Sequence, residues 1–215
     1  MWRVQHLMAT AFEQAAPQNR AGAAVTATAG YAAGARDGPV PQCYPNAQNK
    51  SNYEIYGSAE AARVAVRSPA ELAAAGRAFF QDFVPLPRRD HALPGTTWAR
   101  PDYFDVGRPY RAVIGVPGGV ANAAALAVLR RPDVNVHNLT LAAGVGGDAD
   151  TLRDNKVWVM DSRAFRFQPA ELCMQFHDDQ NVAYPAAYHA LKPARIAAGT
   201  LGETGCPLPY PCDKK

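Results

Sequence analysis

The sequence predicts an α+β fold, in which helices pack against a β-sheet. Strand-like and helix-like patterns alternate along the chain, which permits this arrangement. Apolar residues make up 48% of the 215 residues and charged residues 19%, a globular composition. The length suits one substantial core, and no segment has the character of a linker. We therefore expect one domain over residues 1–215, with its core at about 8–177 and an extended tail at 178–215.

The elements of the first half follow from local patterns. Residues 7–16 carry apolar side chains at helical spacing and predict a first helix. Residues 24–29 and 61–67 alternate and predict strands, and the polar, Pro- and Gly-rich stretch 35–53 predicts a long loop. Ser68, Pro69 and Glu71 form a helix-start signal, in which Ser68 is the N-cap, so a helix is expected from there to about residue 83.

The second half is richer in proline and has shorter predicted elements. A Pro-rich loop at 84–102 leads to a buried strand and then to a helix that Pro132 ends. Pro169 is expected to open a short helix, and the tail is expected to be mostly coil. The predicted strands are 111–116, 134–141 and 156–160, the predicted helices are 120–131 and 169–177, and coil is expected from 181.

Charge and hydropathy exclude several classes of protein. The formal net charge is +3, and Lys and Arg are scattered, so nucleic-acid binding is not expected. No run approaches the roughly 20 apolar residues of a membrane span. The N-terminus lacks the apolar segment of a secretory signal, whereas an organelle transit peptide is not excluded by composition.

Four cysteines, widely separated, lack the spacing of a zinc site. They are Cys43, Cys173, Cys206 and Cys212. Such a distribution suits reduced thiols, so we expect the cytoplasm or another reducing compartment. No metal or cofactor is expected.

Five short segments contain residue types that could form a functional site. Each contains a turn glycine, a tyrosine, an acid or a cysteine that alone favours a structural role. In chain order they are Gly30-Tyr-Ala-Ala-Gly34, Tyr53 with Gly57-Ser-Ala-Glu-Ala61, Asp105-Val-Gly-Arg-Pro-Tyr-Arg111, Phe167-Gln-Pro-Ala-Glu171 and Thr204-Gly-Cys-Pro207.

In this order the segments resemble the conserved turns of peptide methionine sulfoxide reductase A, from about Met8 to Pro207. The resemblance implies a mixed β-sheet packed with helices and a pocket where a thiolate attacks the sulfoxide sulfur. It implies Glu60 as the acid, Asp105 and Tyr110 as pocket residues, and Tyr53, or less well Tyr44, as the second tyrosine. Cys206 is similarly placed to a resolving cysteine.

The chain departs from that family where the attacking cysteine should be. The alignment puts Val4, Gln5 and His6 at the Cys-Phe-Trp positions, and Val4 has no lone pair with which to attack sulfur. Ala9 replaces a glutamate that many members have, and Ser58 replaces a histidine. Loss of the nucleophile predicts a catalytically inactive protein.

The family also places a β-strand before its cysteine motif. Only Met1, Trp2 and Arg3 precede Val4, which is short for a strand. An incomplete sheet exposes unpaired backbone groups, so a protein partner is expected to cover a truncated N-terminal sheet edge.

Two functions follow from the resemblance. The first is an inactive reductase-like module, with a vestigial pocket at Glu60, Asp105, Tyr110 and Tyr53, that acts as a subunit of a larger assembly. The alternative is an active peptide-methionine (S)-S-oxide reductase in which Cys43 or Cys206 attacks, and thioredoxin or another thiol restores it. The residues alone also permit plainer roles: Glu60 as a surface carboxylate, Asp105 as a turn cap, and Tyr110 as the edge of a core.

Overall fold

A seven-stranded sheet organises the fold. The computed structural model describes residues 2–3, 27–45, 51–86, 96–99, 106–176 and 186–207. The strands are β1 (Trp2–Arg3), β2 (Ala27–Ala32), β3 (Ala59–Val64), β4 (Val84–Pro85), β5 (Trp98–Ala99), β6 (Val113–Val116), β7 (Thr140–Ala143), β8 (Lys156–Asp161) and β9 (Gln168–Pro169). The order across the main sheet is β7-β8-β6-β1-β3-β2-β9, and β4 pairs with β5 separately.

The main sheet is mixed. Strands β6, β8 and β7 run parallel to one another. Strands β1, β3, β2 and β9 are antiparallel to their neighbours, and β1 is also antiparallel to β6. The predicted α+β class with a mixed sheet is therefore confirmed.

Strand β1 lies in the interior of the sheet. Trp2 pairs with Arg63 of β3 on one side and Gly115 of β6 on the other. Because β1 has neighbours on both sides, it does not form a sheet edge. The expectation that a partner covers an edge at the N-terminal strand is therefore wrong. The edge strands among the described residues are β7 and β9.

The helices flank this sheet. Helix α1 begins where the sequence predicts, because Ser68 Oγ accepts a hydrogen bond from the Glu71 backbone N–H at 3.2 Å. None of the described helices has the length and apolarity that crossing a bilayer requires. The α-helices are α1 (Pro69–Gln81), α2 (Ala123–Leu129), α3 (Ala186–His189) and α4 (Leu191–Ala197), and 3₁₀ turns span Arg108–Tyr110, Gly119–Ala121 and Leu172–Met174.

Two apolar clusters hold the layers together, one on each side of the sheet. Alternate residues of β6 and β8 face opposite ways, as the period of a strand requires. Ile114 and Val159 pack with Phe79 of α1 and Leu126 of α2. Val113 and Met160 pack on the other side, with Ala59 of β3.

Several predicted elements differ from those in the structure. The predicted strand 134–141 is mostly turns, and β7 begins only at Thr140, because the Asn135 side chain bonds both backbone groups of Leu139. Pro169 lies in β9 instead of opening a helix. The tail predicted as coil contains α3 and α4. The predicted helix at 7–16 lies outside the described residues.

Candidate functional site

The five segments meet at the end of β2 and β3. Tyr31 of β2 is directly opposite Glu60 of β3. On its other side Tyr31 is opposite Gln168 of β9. Residues that are opposite one another in a pleated sheet point to the same face, so Tyr31 and Glu60 share one face. This register is what brings the first, second and fourth segments together.

Buried Arg111 links the third segment to the first two. Its side chain is fully buried and donates hydrogen bonds to the carbonyl oxygens of Ala33 at 2.7 Å, Gly57 at 3.0 Å and Arg108 at 2.5 Å. Burial lowers the pKa of Arg111 to about 10, so the guanidinium stays protonated at neutral pH. A single cation therefore holds three turns in fixed relation.

Two tyrosine–carboxylate pairs form the polar centre of the site. Tyr53 Oη donates to Glu60 Oε1 at 2.9 Å, and Tyr31 Oη donates to Glu171 Oε2 at 2.8 Å. The two rings stack, with centroids 4.3 Å apart and planes 10° from parallel. The Tyr44 ring is tilted against Tyr53 at 6.3 Å. The stacked rings thus connect two carboxylates that lie far apart in the sequence.

Both phenols of the stacked pair are held in their protonated form. Burial, followed by the negative charge of Glu60 and by an interaction with Tyr110, raises the pKa of Tyr53 far above its usual range. Burial and Glu171 raise the pKa of Tyr31 in the same way. A phenol has one O–H to donate, and in each case a carboxylate accepts it.

A disulfide lies at the Glu171 end of this network. Cys43 and Cys206 are bonded, with their Cα atoms 5.6 Å apart. One Glu171 carboxylate oxygen and both sulfurs lie within 4.8 Å of one another. Glu171 is itself buried and also accepts a hydrogen bond from the Tyr44 backbone N–H at 2.6 Å.

The expectation of reduced thiols is wrong. Besides the Cys43–Cys206 bond, Cys173 is also disulfide-bonded. The β2–β3 loop and the tail, which are remote in sequence, place Cys43 and Cys206 together, and no spacing rule could have found that pair. The inference of a reducing compartment depended on free thiols and loses that support.

The cleft that Glu60 shares with other described residues is small. A cleft of about 20 Å³ opens at the sheet face where Tyr31 and Glu60 lie. That volume accommodates about one water molecule. The residues that line it are Ala29, Gly30, Tyr31, Tyr44, Glu60, Ala61, Ala170 and Met174.

Of the residues predicted for the site, the structure brings Glu60 and Tyr53 into contact. The 3₁₀ turn that carries Tyr110 packs against β3, and Tyr110 contributes to the electrostatic environment of Tyr53. Cys206 lies at the Glu171 end. Asp105 and Val4 are outside the described residues.

Three residues belong to the site that sequence reasoning did not assign to it. Tyr31, Glu171 and Arg111 all occur in the quoted segments, but the sequence analysis gave none of them a role in the pocket. The alternation of β2 could have placed Tyr31 on the same face as the acid. Nothing local marks Glu171 as a neighbour of a disulfide.

A larger groove lies beside the edge strand β9. Its volume is about 420 Å³, and the tail segment 200–204 forms one wall. Arg63 and Arg166 are exposed in it, and the Arg63 guanidinium stacks over the Phe167 ring at 4.9 Å. Glu203 contributes one opposing charge. The groove is therefore basic on balance.

Comparison of the chain with family models, with curated proteins and with solved structures gives no match.

Proposed function

We propose that this protein is a catalytically inactive relative of methionine sulfoxide reductase A that acts as a structural and interaction subunit. The observation that carries the proposal is the volume beside Glu60. A cleft of about 20 Å³ takes one water, whereas a methionine sulfoxide side chain is several times larger. Among the described residues, the acid that the resemblance implies therefore lines no cleft that could hold a substrate side chain.

The hydrogen bonds of the site support the same conclusion. A reductase pocket must donate hydrogen bonds to the sulfoxide oxygen as it leaves. Tyr53 already donates its only O–H to Glu60, and Tyr31 donates its own to Glu171. Both phenols thus use their O–H within the network, so neither has a proton left to donate to a sulfoxide oxygen.

The chemistry of sulfur supports it further. Attack on a sulfoxide needs a thiolate. The described cysteines are all disulfide-bonded, and the sulfurs nearest the network lie beside Glu171 instead of Glu60. Disulfides of this kind suit an oxidising compartment.

The groove beside β9 is the surface that we assign to the partner. It has room for an extended segment, and exposed Arg63 and Arg166 would pair with acidic residues of that segment. This assignment replaces the N-terminal strand as the contact, because β1 already has neighbours on both sides.

A turnover assay tests the inactivity. The protein is incubated with a peptide that contains methionine-S-sulfoxide and with dithiothreitol, and reduced methionine is followed by chromatography. We expect no rate above that of dithiothreitol alone. Turnover that Cys206→Ser abolishes and Cys173→Ser preserves would overturn the proposal.

A charge-reversal experiment tests the groove. A partner protein should copurify with the wild type at constant stoichiometry. It should not copurify with the Arg63→Glu/Arg166→Glu double variant, and it should still copurify with Arg130→Glu. Arg130 is exposed at the end of α2 and does not line the groove. Equal binding by the double variant and the control would reject this surface.

The second candidate is an active thiol-dependent reductase. The observation that favours it is that Cys43, Cys206 and Glu171 lie within 4.8 Å of one another. After reduction by an external thiol, one sulfur of the pair would attack the sulfoxide sulfur while Glu171 supplies a proton to the oxygen. The thioether is released, the oxygen leaves as water, and the two thiols return to the disulfide. The turnover assay distinguishes the two candidates.

A further inference from the structure

The Cys43–Cys206 disulfide and the Glu171 carboxylate form a compact set of potential metal ligands. All three ligand atoms lie within 4.8 Å of one another. They come from the β2–β3 loop, the segment after β9 and the tail, which is a convergence that no local pattern imposes. Two thiolates and one carboxylate form a donor set that Zn²⁺ accepts.

Glu171 needs more explanation than its hydrogen bonds provide. Its side chain is only 3% exposed, and no ion pair found among the described residues includes it. Its partners are two neutral donors, the Tyr44 backbone N–H and the Tyr31 phenol. A buried carboxylate without a cation is unfavourable, and a metal ion would supply the missing positive charge.

The geometry around the two sulfurs is compatible with a bound ion. In a tetrahedral zinc site the ligand atoms are about 3–4 Å apart, given bond lengths of about 2.0–2.3 Å. Cα atoms 5.6 Å apart allow the two sulfurs to separate to that distance by side-chain rotation. The Gln42 carbonyl oxygen lies 3.5 Å from Cys206 Sγ, so an oxygen of the chain, besides water, is available as a fourth ligand.

We propose that reduction of the Cys43–Cys206 disulfide creates a Zn²⁺ site whose ligands are the two thiolates and the Glu171 carboxylate. The disulfide takes two electrons and two protons from a thiol or phosphine reductant and becomes two thiols. Zn²⁺ then displaces the two thiol protons to solvent. While the S–S bond is intact, neither sulfur carries the charge that binds the ion.

Two features of the site match this role. Cys43 is buried, whereas Cys206 is partly exposed, so a reductant reaches the pair through Cys206. Tyr31 donates to Glu171, which is the outer-shell hydrogen bond that commonly orients a ligating carboxylate. The inference does not depend on the proposed function.

The test compares the oxidised and reduced full-length protein, titrated with Co²⁺ as a spectroscopic probe and then with Zn²⁺ against a chromogenic chelator. We expect about one ion per chain in the reduced protein, with thiolate-to-cobalt charge-transfer absorption, and binding at least about 100-fold weaker in the oxidised protein. Equal binding in the two states would overturn the proposal.

Variants identify the ligands. Cys206→Ser and Glu171→Gln should each weaken binding by about tenfold or more, and Tyr31→Phe by about 10–100-fold. Cys173→Ser is the matched control, because it removes the thiol that reduction frees at that position. It should bind the metal ion as tightly as the wild type does. If Cys173→Ser loses the ion while Cys206→Ser keeps it, the site is elsewhere and the proposal fails.

Circular dichroism shows whether the reduced protein remains folded. If reduction alone unfolds the wild type, reduction in the presence of one equivalent of Zn²⁺ should preserve the native spectrum. Unfolding to the same extent with and without Zn²⁺ would contradict the proposal.

Discussion

At the scale of single residues, Arg111 does most to assemble the site. Its guanidinium is buried and bonds carbonyl oxygens of three separate turns, and only its Nε has no partner. A planar fork of donors can reach several acceptors at fixed angles, which a lysine ammonium cannot. Arg111 therefore fixes the end of β2, the turn before β3 and the turn before β6 relative to one another.

Replacement of Arg111 by lysine should destabilise the protein by about 2–4 kcal/mol, because at least one buried carbonyl loses its donor. Urea unfolding followed by circular dichroism measures this change. Arg130→Lys, at an exposed position, is the matched control and should change stability by less than about 0.5 kcal/mol. Equal stability of the two variants would mean that the Arg111 hydrogen bonds contribute little.

At the scale of elements, prediction succeeded where the signal was local. The capping residues Ser68, Pro69 and Glu71 predicted the start of α1, and alternation predicted a strand at 156–160, where β8 spans Lys156–Asp161. In both cases the residues that determine the conformation are close to one another in the sequence.

Prediction failed where a distant contact decides the conformation. Arg195 of α4 donates hydrogen bonds to the Ala27 carbonyl oxygen and to Thr28 Oγ1 at the start of β2. These contacts stabilise a helix in the tail, which was predicted to be mostly coil because it contains several prolines. Likewise, Gln175 bonds both backbone groups of Ala29, which holds the segment after β9 against β2 in place of the predicted helix 169–177.

The same limit applies to the site. Glu60 and Tyr53 were predicted together because the resemblance implies both as pocket residues, and they do form a hydrogen bond. Glu171 was not placed in the site, and Cys43 only as a possible attacking thiol of the alternative function, since the proximity of the two depends on the β2–β9 pairing and on the tail. A single sequence does not reveal contacts at such separations.

The pairing of β2 with β9 depends on the lack of a side chain at Gly30. A Cβ there would lie 2.1 Å from the Gln168 carbonyl oxygen and 2.5 Å from the Phe167 ring. Gly30→Ala should therefore push β9 away and destabilise the protein by about 2–3 kcal/mol in urea unfolding. Gly202→Ala is the control, because no atom lies within 4 Å of its Cβ, and it should be nearly neutral. A neutral Gly30→Ala would show that β9 is not held closely against β2.

At the scale of the whole molecule, the tail is fastened to the sheet at more than one point. Arg195 holds α4 to the start of β2, Leu201 is buried, and Cys206 is bonded to Cys43. Between these points the tail forms the wall of the groove beside β9. The Cys43–Cys206 bond is the covalent contact in this set.

The Cys43–Cys206 bond joins residues 163 positions apart, and this separation sets its effect on stability. A cross-link that closes so long a loop lowers the entropy of the unfolded chain, which stabilises the fold by up to about 5 kcal/mol. The Cys43→Ser/Cys206→Ser double variant should thus lose about 2–5 kcal/mol in urea unfolding under non-reducing conditions. Wild type in a phosphine reductant should lose at least as much, because Cys173 is also released. If the double variant unfolds at the same urea concentration as the wild type, the tail is held by its non-covalent contacts alone, and reduction would leave the groove intact.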